Sequence, residues 1–295
     1  MGSQERWGKM IQEVRDGIFL VQGEKEGRFP YSNSFLLRGG TRTILFDAGC
    51  GQSVLASLLE EVKVDLLVLS HTHVDHYSSI NLLEGVPKVV PALFWETVRS
   101  LEAMSRRLIG EEEARQEWLG MVRNLYGDPS FVPDEVYREG QTFSTGKHEV
   151  VAISAPGHTK DHFVFFEERS RVIFTFDIDL SSFGPWYANE ESDIGDFLSS
   201  IRRVRDLSPS GLLSSHREPV FEGWEEELDR YEEKIYERDR KVEEMVQAGM
   251  TLDEMVEESV IYGGFPHVPA LLRYFEKRML RLHLERLGLA DEVLS

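Results

Sequence analysis

The segment from Ser70 to His76 is the part of this sequence richest in side chains that could bind a metal or take part in catalysis. It reads Ser-His-Thr-His-Val-Asp-His and follows a continuous apolar run typical of a buried strand. Imidazole nitrogens and carboxylate oxygens are suitable ligands for zinc, iron or manganese. The pairs His71/His73 and Asp75/His76 therefore predict two adjacent metal ions, because a loop at a strand end lets the backbone turn sharply enough to bring them together.

Three more candidate ligands lie just past other strand-like runs. His158 stands in a Pro-Gly-His-Thr turn, Asp177 ends a β-prone run, and His216 follows a short apolar run. Since the ends of such strands can meet along one edge of stacked sheets, we expect these side chains to join the 70–76 segment. The alternative is a polar loop with fortuitous histidines, and the agreement between residue type and placement argues against it.

These residues closely resemble the signature of the metallo-β-lactamase fold superfamily, in particular its glyoxalase II-like branch. The motif H-x-H-x-D-H is matched in full, and later elements of the signature are matched as well. The resemblance implies an α+β fold, a four-layer αββα sandwich over about residues 10–217. It also implies a first metal held by His71, His73 and His158, a second held by Asp75, His76 and His216, and Asp177 as the bridging ligand.

Two further residues resemble supporting positions of the family. Asp47, in a Leu-Phe-Asp-Ala-Gly turn, resembles the family's D-x-G element and is predicted to support the ligands without binding metal. His162 is predicted either to line the pocket or support the ligands, or only to pack. The bridging position has an alternative in Asp179, because Phe176 stands where the family usually has glycine; the F-T-x-D register favours Asp177.

The function that the resemblance implies is hydrolysis. Two divalent ions, zinc first and manganese or iron as alternatives, would supply a bridging hydroxide that cleaves an ester, thioester, lactone or similar bond in a small molecule. Asp75 would act in catalysis by orienting the nucleophile as well as binding metal. Relatives in the superfamily leave open an iron-dependent oxidoreductase resembling sulfur dioxygenases, or a metal-dependent nuclease. A noncatalytic binding protein is disfavoured because the ligand set is complete.

Substrate contacts are predicted in an aromatic loop that follows Asp177. Its candidate residues are Phe183, Trp186 and Tyr187. A helical insert at about 91–127 is rich in aromatic residues and methionine. It is either a lid with an apolar lining or a segment that only packs on the sheet.

The strands and helices that must position these groups follow from the hydrophobic pattern. Strands are predicted at 17–22, 33–38, 42–47, 64–70, 88–90, 149–154, 163–166, 171–177 and 211–214. Helices are predicted at 52–60, 91–127, 193–206, 222–249 and 268–288. We predict a catalytic domain at 1–217 that contains the insert, and a C-terminal helical extension at 218–295.

The extension is predicted to be mostly solvated helix surface, with Arg238 among its exposed charges. Its apolar face would pack against the core or against a second chain in a homo-oligomer. Its histidines, His267 and His283, are not predicted to bind metal. Elsewhere, His148 is predicted to face solvent in a turn, and Cys50 to be a small buried residue.

Composition narrows the classes of partner. The 295 residues carry 33 basic and 52 acidic side chains, a net charge of −19, which disfavours a broad nucleic-acid footprint. The single cysteine excludes an intrachain disulfide and fits a reducing cytosol. No secretory signal is recognised, and the apolar runs are far shorter than the roughly 20 residues of a membrane helix. We therefore expect a cytoplasmic protein with a small-molecule substrate.

Overall fold

The computed structural model describes residues 10–293, so the predicted outer limits at residues 1 and 295 lie outside it. Twelve strands within this range form two sheets. The strands are β1 (Ile11–Arg15), β2 (Ile18–Val21), β3 (Ser34–Arg38), β4 (Thr43–Phe46), β5 (Leu66–Val68), β6 (Lys88–Pro91), β7 (Glu135–Tyr137), β8 (Thr142–Ser144), β9 (Glu149–Ser154), β10 (Phe163–Glu167), β11 (Val172–Phe176) and β12 (Gly211–Ser214). The helices are α1 (Gln52–Glu61), α2 (Leu101–Leu108), α3 (Glu112–Tyr126), α4 (Ile194–Asp206), α5 (Trp224–Gln247), α6 (Leu252–Glu258), α7 (Pro269–Leu287) and α8 (Ala290–Val293).

The first sheet has the order β1 to β7 and the second the order β12-β11-β10-β9-β8. In the first sheet β1 to β4 pair antiparallel, and β4 to β7 pair parallel. In the second sheet, β11 and β12 are the parallel pair. Parallel neighbours end at the same edge, so the loops that follow β4, β5, β11 and β12 can converge.

A phenylalanine-rich layer fills the space between the sheets. Alternate residues of β3 and β4 point inward, and Phe35 stacks on Phe174 at 5.3 Å between ring centroids. Phe46 meets Phe165 edge to face at 4.9 Å. These side chains are fully buried, and burial of each contributes about 1.5–3 kcal/mol relative to exposure. The layer fixes the spacing of the two sheets and therefore of the loops at their shared edge.

Helices cover both outer faces. α1, α2 and α3 contribute to one outer cluster, and α4 and α5 to another. α7 joins the two, since Leu271 and Tyr274 belong to the first outer cluster and Met279 and Leu282 to the second. The predicted four-layer αββα sandwich with a helical insert and C-terminal helices is confirmed. Apolar side chains of the C-terminal helices pack on the core of their own chain. A homo-oligomer through these helices stays a prediction.

Several short elements escaped prediction. β7 and β8 have three residues each, too few to show an alternating pattern. α6 begins at a capping box, in which the Thr251 side chain accepts from the Glu254 backbone N–H and the Glu254 carboxylate accepts from Thr251. That threonine-to-glutamate spacing is a helix start signal that the sequence does carry.

His148 is a correction to the sequence analysis. It is buried, and its Nδ1 lies 3.1 Å from Glu167 Oε1. Gly17 makes the burial possible, because a Cβ at that position would lie 2.7 Å from His148 Nε2. Gly17 is distant from His148 in sequence, and because it has no side chain it leaves room for the imidazole inside the fold.

Arg238 is a second correction, because it is buried and not solvated. Its guanidinium donates to the carbonyl oxygens of Pro185 and Phe183 and to Tyr187 Oη. The charge is tolerated there because three oxygens replace its water. The extension is therefore bonded to the loop that follows β11. Cys50 is buried as predicted, and burial raises the pKa of its thiol to about 12.

Candidate metal centre

Loops at the ends of β5, β9, β11 and β12 bring seven histidine and aspartate side chains together at one edge of the sandwich. The 70–76 segment turns through a short 3-10 helix at Val74–His76. Gly49 allows this turn to pack closely, because a Cβ there would lie 1.7 Å from the carbonyl oxygen of Asp75. Within each of two groups, one donor atom per residue lies within 4.8 Å of the others. The first group is His71, His73, His158 and Asp177, and the second is Asp75, His76 and His216.

Asp177 lies between the two groups, with one carboxylate oxygen facing each. Its Oδ2 is 3.2 Å from His158 Nε2 and 3.9 Å from His71 Nε2. Its Oδ1 is 3.1 Å from His76 Nε2 and 3.8 Å from His216 Nε2. This is the arrangement in which one carboxylate can serve two cations. The metal-binding roles themselves remain predictions.

Several buried nitrogen and oxygen atoms that could bind metal in these groups lack hydrogen bonds. His71 Nε2, His76 Nε2 and Asp177 Oδ1 are buried without a partner of acceptable geometry. His73 Nδ1 and His158 Nε2 approach each other at 2.8 Å. A buried polar atom without a hydrogen bond costs about 1–3 kcal/mol, so such a cluster is explained by a ligand that it is built to hold. Two divalent cations fit this set of nitrogen and oxygen donors.

Other hydrogen bonds orient three of the imidazoles. The Nδ1–H of His76 donates to Asp47 Oδ2 at 2.7 Å, that of His158 to the Trp186 carbonyl at 2.9 Å, and that of His216 to the Gly27 carbonyl at 2.7 Å. In each ring the proton is held on Nδ1 and Nε2 is turned toward the cluster. Such bonds fix the tautomer and the ring orientation of a metal-binding histidine.

His73 is oriented the other way round, by a residue that the sequence analysis missed. The Asn189 side-chain amide lies 2.9 Å from His73 Nε2, which leaves Nδ1 facing the cluster. The Asn189 atom at this distance is Nδ2, which donates to Nε2. A metal at Nδ1 requires a proton on Nε2, and the amide accepts that proton with Oδ1 after a half-turn about its last bond. Asn189 stands in no motif, and local spacing carries no signal for it.

Asp47 lies directly behind the cluster. It is fully buried and accepts from the Ser70 backbone N–H, the Ser70 hydroxyl and His76 Nδ1, each at 2.7 Å. Ser70 Oγ in turn lies 2.9 Å from His71 Nδ1. One carboxylate therefore orients a histidine of each group. Burial raises the pKa of Asp47, and the adjacent His76 opposes that shift.

His162 and Asp179 lie next to the cluster but outside both groups. His162 Nδ1 donates to the Ala155 carbonyl at 2.9 Å, and its Nε2 accepts from the Asp177 backbone N–H at 3.2 Å. Burial lowers the pKa of His162 to about 4, which keeps it the neutral acceptor that this contact needs. Asp179 Oδ1 accepts from the Ser181 backbone N–H at 3.0 Å. The structure therefore places Asp177, and not Asp179, between the two groups.

Charge within the cluster is balanced between imidazoles and carboxylates. Burial lowers the pKa of His71 and of His73, which favours the neutral form that binds metal. Burial also lowers the pKa of His216, but the carboxylates of Asp177 and Asp75 outweigh it and raise that pKa to about 9. Burial also lowers the pKa of His76, but the carboxylates of Asp177 and Asp47 outweigh it and raise that pKa well above its usual value. The metal-free site thus keeps protons on His216 and His76 that cations must displace.

Zinc affinity is therefore expected to rise with pH up to about 9, where His216 loses its proton in the folded, metal-free protein. In the metal-free protein, the folded-state pKa of His216 lies above its unfolded value, so its contribution to stability is full below pH 6.5 and is lost as pH rises through about 9. Release of the His216 proton should add about tenfold in affinity per pH unit below about pH 9. Competition titrations against a chelator of known proton affinity measure it. The variant His216→Ala should show a slope smaller by about one proton; an equal slope would contradict the assignment.

A cavity of about 1530 Å³ opens onto the cluster. Trp186 forms the wall beside the first group, since its ring lies 5.4 Å from that of His158, 5.8 Å from that of His73 and 5.2 Å from that of Phe275. Four cationic side chains, each near an acidic partner, also line it: Arg28, Arg217, Arg230 and Lys234. The apolar lining comes mainly from α3 and α7 and includes Trp118, Met121, Val122, Leu271 and Leu272.

Of the predicted substrate contacts, Phe183 and Trp186 line this cavity and Tyr187 does not. Tyr187 is fully buried, with Oη 2.9 Å from His283 Nε2 and from Arg238 Nη1. It faces the C-terminal helices, so its prediction as a substrate contact is corrected. Trp118 of the insert packs in an outer cluster and also lines the cavity, so the insert does more than pack on the sheet. Its role as a lid stays a prediction.

The fold and the site together define a class of protein: a metal-dependent hydrolase built on two sheets, with its donors on the loops at one edge. A sequence profile of the metallo-beta-lactamase superfamily matches residues 27–216, and the chain belongs to this family. The resemblance seen in the motif is thereby confirmed at the level of the superfamily. The glyoxalase II-like branch remains a prediction.

Individual relatives are distant. The chain is 24% identical over 265 residues to a beta-lactamase-like protein 2 homolog of Caenorhabditis elegans, covering 87% of this chain and 80% of that one. It is 24% identical over 220 residues to acyl-coenzyme A thioesterase MBLAC2 of Gallus gallus, covering 67% and 75%. A metallo-beta-lactamase family protein from Thermus thermophilus superposes with a TM-score of 0.71 at 20% identity over 94% of this chain and 95% of that one. None of the helices within residues 10–293 is long and apolar enough to cross a membrane.

Proposed function

We propose that this chain is a dinuclear metal-dependent hydrolase that cleaves acyl thioesters of small molecules. The observation that carries the proposal is the pair of donor groups, with Asp177 of the first also facing the second, on a cavity large enough for such a substrate. Bound divalent cations, for which we propose zinc, with manganese or iron as alternatives, supply Lewis acidity and lower the pKa of water. The cytoplasm is proposed as its compartment and a small molecule as its partner.

Asp75 is the residue of the cluster that we assign to proton handling. Its side chain is 14% exposed, lines the cavity, and has Oδ2 3.8 Å from both His76 Nε2 and His216 Nε2. In this position it can orient an attacking water and accept its proton. A thiolate leaves without prior protonation more readily than an alkoxide, because its conjugate acid is much stronger. One carboxylate therefore suffices for thioester cleavage.

The apolar wall of the cavity favours substrates whose acyl group is apolar. Trp186 covers the first donor group, and the residues from α3 and α7 continue the wall. A thioester carbonyl held at the donors would leave its acyl group against these side chains. The thioesterase named among the relatives gives independent support for this bond type.

Thiol release from a series of acyl thioesters tests the proposal. The zinc-loaded protein should hydrolyse them, with kcat/KM at least about tenfold higher for a decanoyl than for a butyryl thioester, since a buried CH₂ is worth up to about 0.8 kcal/mol. Metal analysis of protein purified without chelator should give about two ions per chain. One iron per chain with oxygen uptake on persulfide would instead support the oxidoreductase alternative, and phosphodiester cleavage the nuclease. A fully loaded protein inactive on every thioester would overturn the proposal.

A further inference from the structure

Arg107, on helix α2 of the insert, makes a cluster of buried contacts beside the metal centre. Its side chain is 7% exposed. Nη2 donates to Asp161 Oδ1 at 2.9 Å, and Nε donates to both carboxylate oxygens of Glu191 at 3.0 Å. Nη1 donates to Thr72 Oγ1 at 2.5 Å and to Thr97 Oγ1 at 3.1 Å. One cation thus joins two buried carboxylates that come from different loops.

The first of these carboxylates holds the backbone between two proposed ligands. Asp161 Oδ2 accepts from the Thr72 backbone N–H at 3.1 Å and from the Thr72 hydroxyl at 2.6 Å. Thr72 stands between His71 and His73, so any shift of Asp161 is passed to both imidazoles. Arg107 holds the other oxygen of the Asp161 carboxylate and so fixes its orientation.

The second carboxylate belongs to a segment that orients two histidines. Residues 186–191 provide the Trp186 carbonyl to His158 Nδ1 and the Asn189 amide to His73 Nε2. Glu191 ends this segment, and Arg107 donates to its carboxylate from both Nε and Nη2. The segments that position all three histidines of the first group therefore meet at one guanidinium.

We propose that Arg107 is a positioning residue that sets the metal affinity of the first group, acting through Asp161 and Glu191. Without it, two carboxylates are left buried and unpaired, and each must move toward water or take up a proton. Either response loosens Thr72 or the 186–191 segment. A lysine supplies the charge but lacks the planar fork that contacts both carboxylates and Thr72 at once.

The second group provides the internal reference. Asp47 orients His76, and the Gly27 carbonyl orients His216; neither contacts Arg107. The proposal therefore predicts a selective effect, which a general loss of stability would not produce. Each group is isolated by a background variant: His216→Ala leaves the first group, and His71→Ala leaves the second.

Zinc competition titrations of Arg107→Met in the two backgrounds test the proposal. Zinc affinity should fall about 10–100-fold in the His216→Ala background, the range found when partners of ligands are lost, and less than about twofold in the His71→Ala background. Arg107→Lys should recover part of the loss. Arg203→Met is the matched control, because Arg203 pairs with Glu139 and the Ser154 carbonyl instead of the cluster, and it should change neither affinity.

The result that would overturn the proposal is a lower melting temperature of the metal-free Arg107→Met protein with unchanged zinc affinity in the His216→Ala background. If Arg107→Met does not fold, Asp161→Asn replaces it, since the Arg107–Glu191 pair stays intact there. That variant should also weaken zinc binding in the His216→Ala background alone. These readouts need no substrate, so they stand even if the protein cleaves something other than thioesters.

Discussion

Replacement of Asp177 by alanine is expected to remove both metal ions and nearly all hydrolysis. The carboxylate faces both donor groups, with Oδ1 3.1 Å from His76 Nε2 and Oδ2 3.2 Å from His158 Nε2. Burial raises its pKa, but the adjacent histidines outweigh this and hold the pKa well below its usual range, so the residue is ionised. Its loss takes the shared anion from two cations at once. Loss of a residue that only orients a metal ligand lowers activity by up to about 100-fold, so we expect loss of Asp177 itself to lower it by more.

Asp179→Ala is the matched control for this prediction. The two aspartates are two residues apart, and both line the cavity. Only Asp177 belongs to a donor group. Metal content by mass spectrometry and thiol release should therefore drop for Asp177→Ala and stay near wild type for Asp179→Ala. The reverse result would show that Asp179 bridges the metals, the alternative that the sequence left open.

The place of the site was predictable from local pattern, and the four-layer fold from the family resemblance that the motif carries. Each of the predicted ligands follows a strand-like run, so each was expected at a strand end. β11 and β12 are parallel neighbours, and β9 points the same way as β11 because β10 is antiparallel to both, so the ends that carry Asp177, His216 and His158 lie at one edge. The H-x-H-x-D-H spacing adds a motif that is specific for this fold. The motif does not indicate which substrate the protein binds.

The residues that orient the ligands were not predictable, because they come from distant segments. Arg107 lies 35 positions from Thr72, and Asn189 lies 116 positions from His73. Neither separation is a recurring spacing, and only the packing of the insert and of the loop after β11 brings these side chains to the ligands.

The predictions for Tyr187 and His148 were wrong for the same reason. The surroundings of Tyr187 are set by His283 and Arg238 of the C-terminal helices, and those of His148 by Gly17. Each of these partners is remote in sequence, so no local pattern could reveal that the two side chains are enclosed.

A chain that ends at residue 217 is expected not to reach the folded state, although the predicted domain boundary lies there. The C-terminal helices bury large apolar side chains in the outer clusters, among them Leu228, Tyr231, Ile235, Leu271 and Met279. At about 1.5–3 kcal/mol each, their removal costs about as much as the 5–15 kcal/mol by which a typical domain is stable. Thermal unfolding followed by near-UV circular dichroism should show no cooperative transition.

The same truncation should also disorganise the first donor group. Arg238 holds the carbonyls of Phe183 and Pro185, and Arg278 holds those of Asn189 and Glu190, so the segment that orients His158 and His73 is bonded to the extension. A chain ending at Gly288 is the control, because it loses only partly buried side chains such as Leu289 and Val293. It should still unfold cooperatively and bind zinc like the full chain. If the 1–217 chain unfolds cooperatively and binds zinc with full affinity, the extension is an independent appendage. The contacts of Arg238 and Arg278 argue for the opposite: the helices after residue 217 are part of the structure that holds the predicted metal ligands.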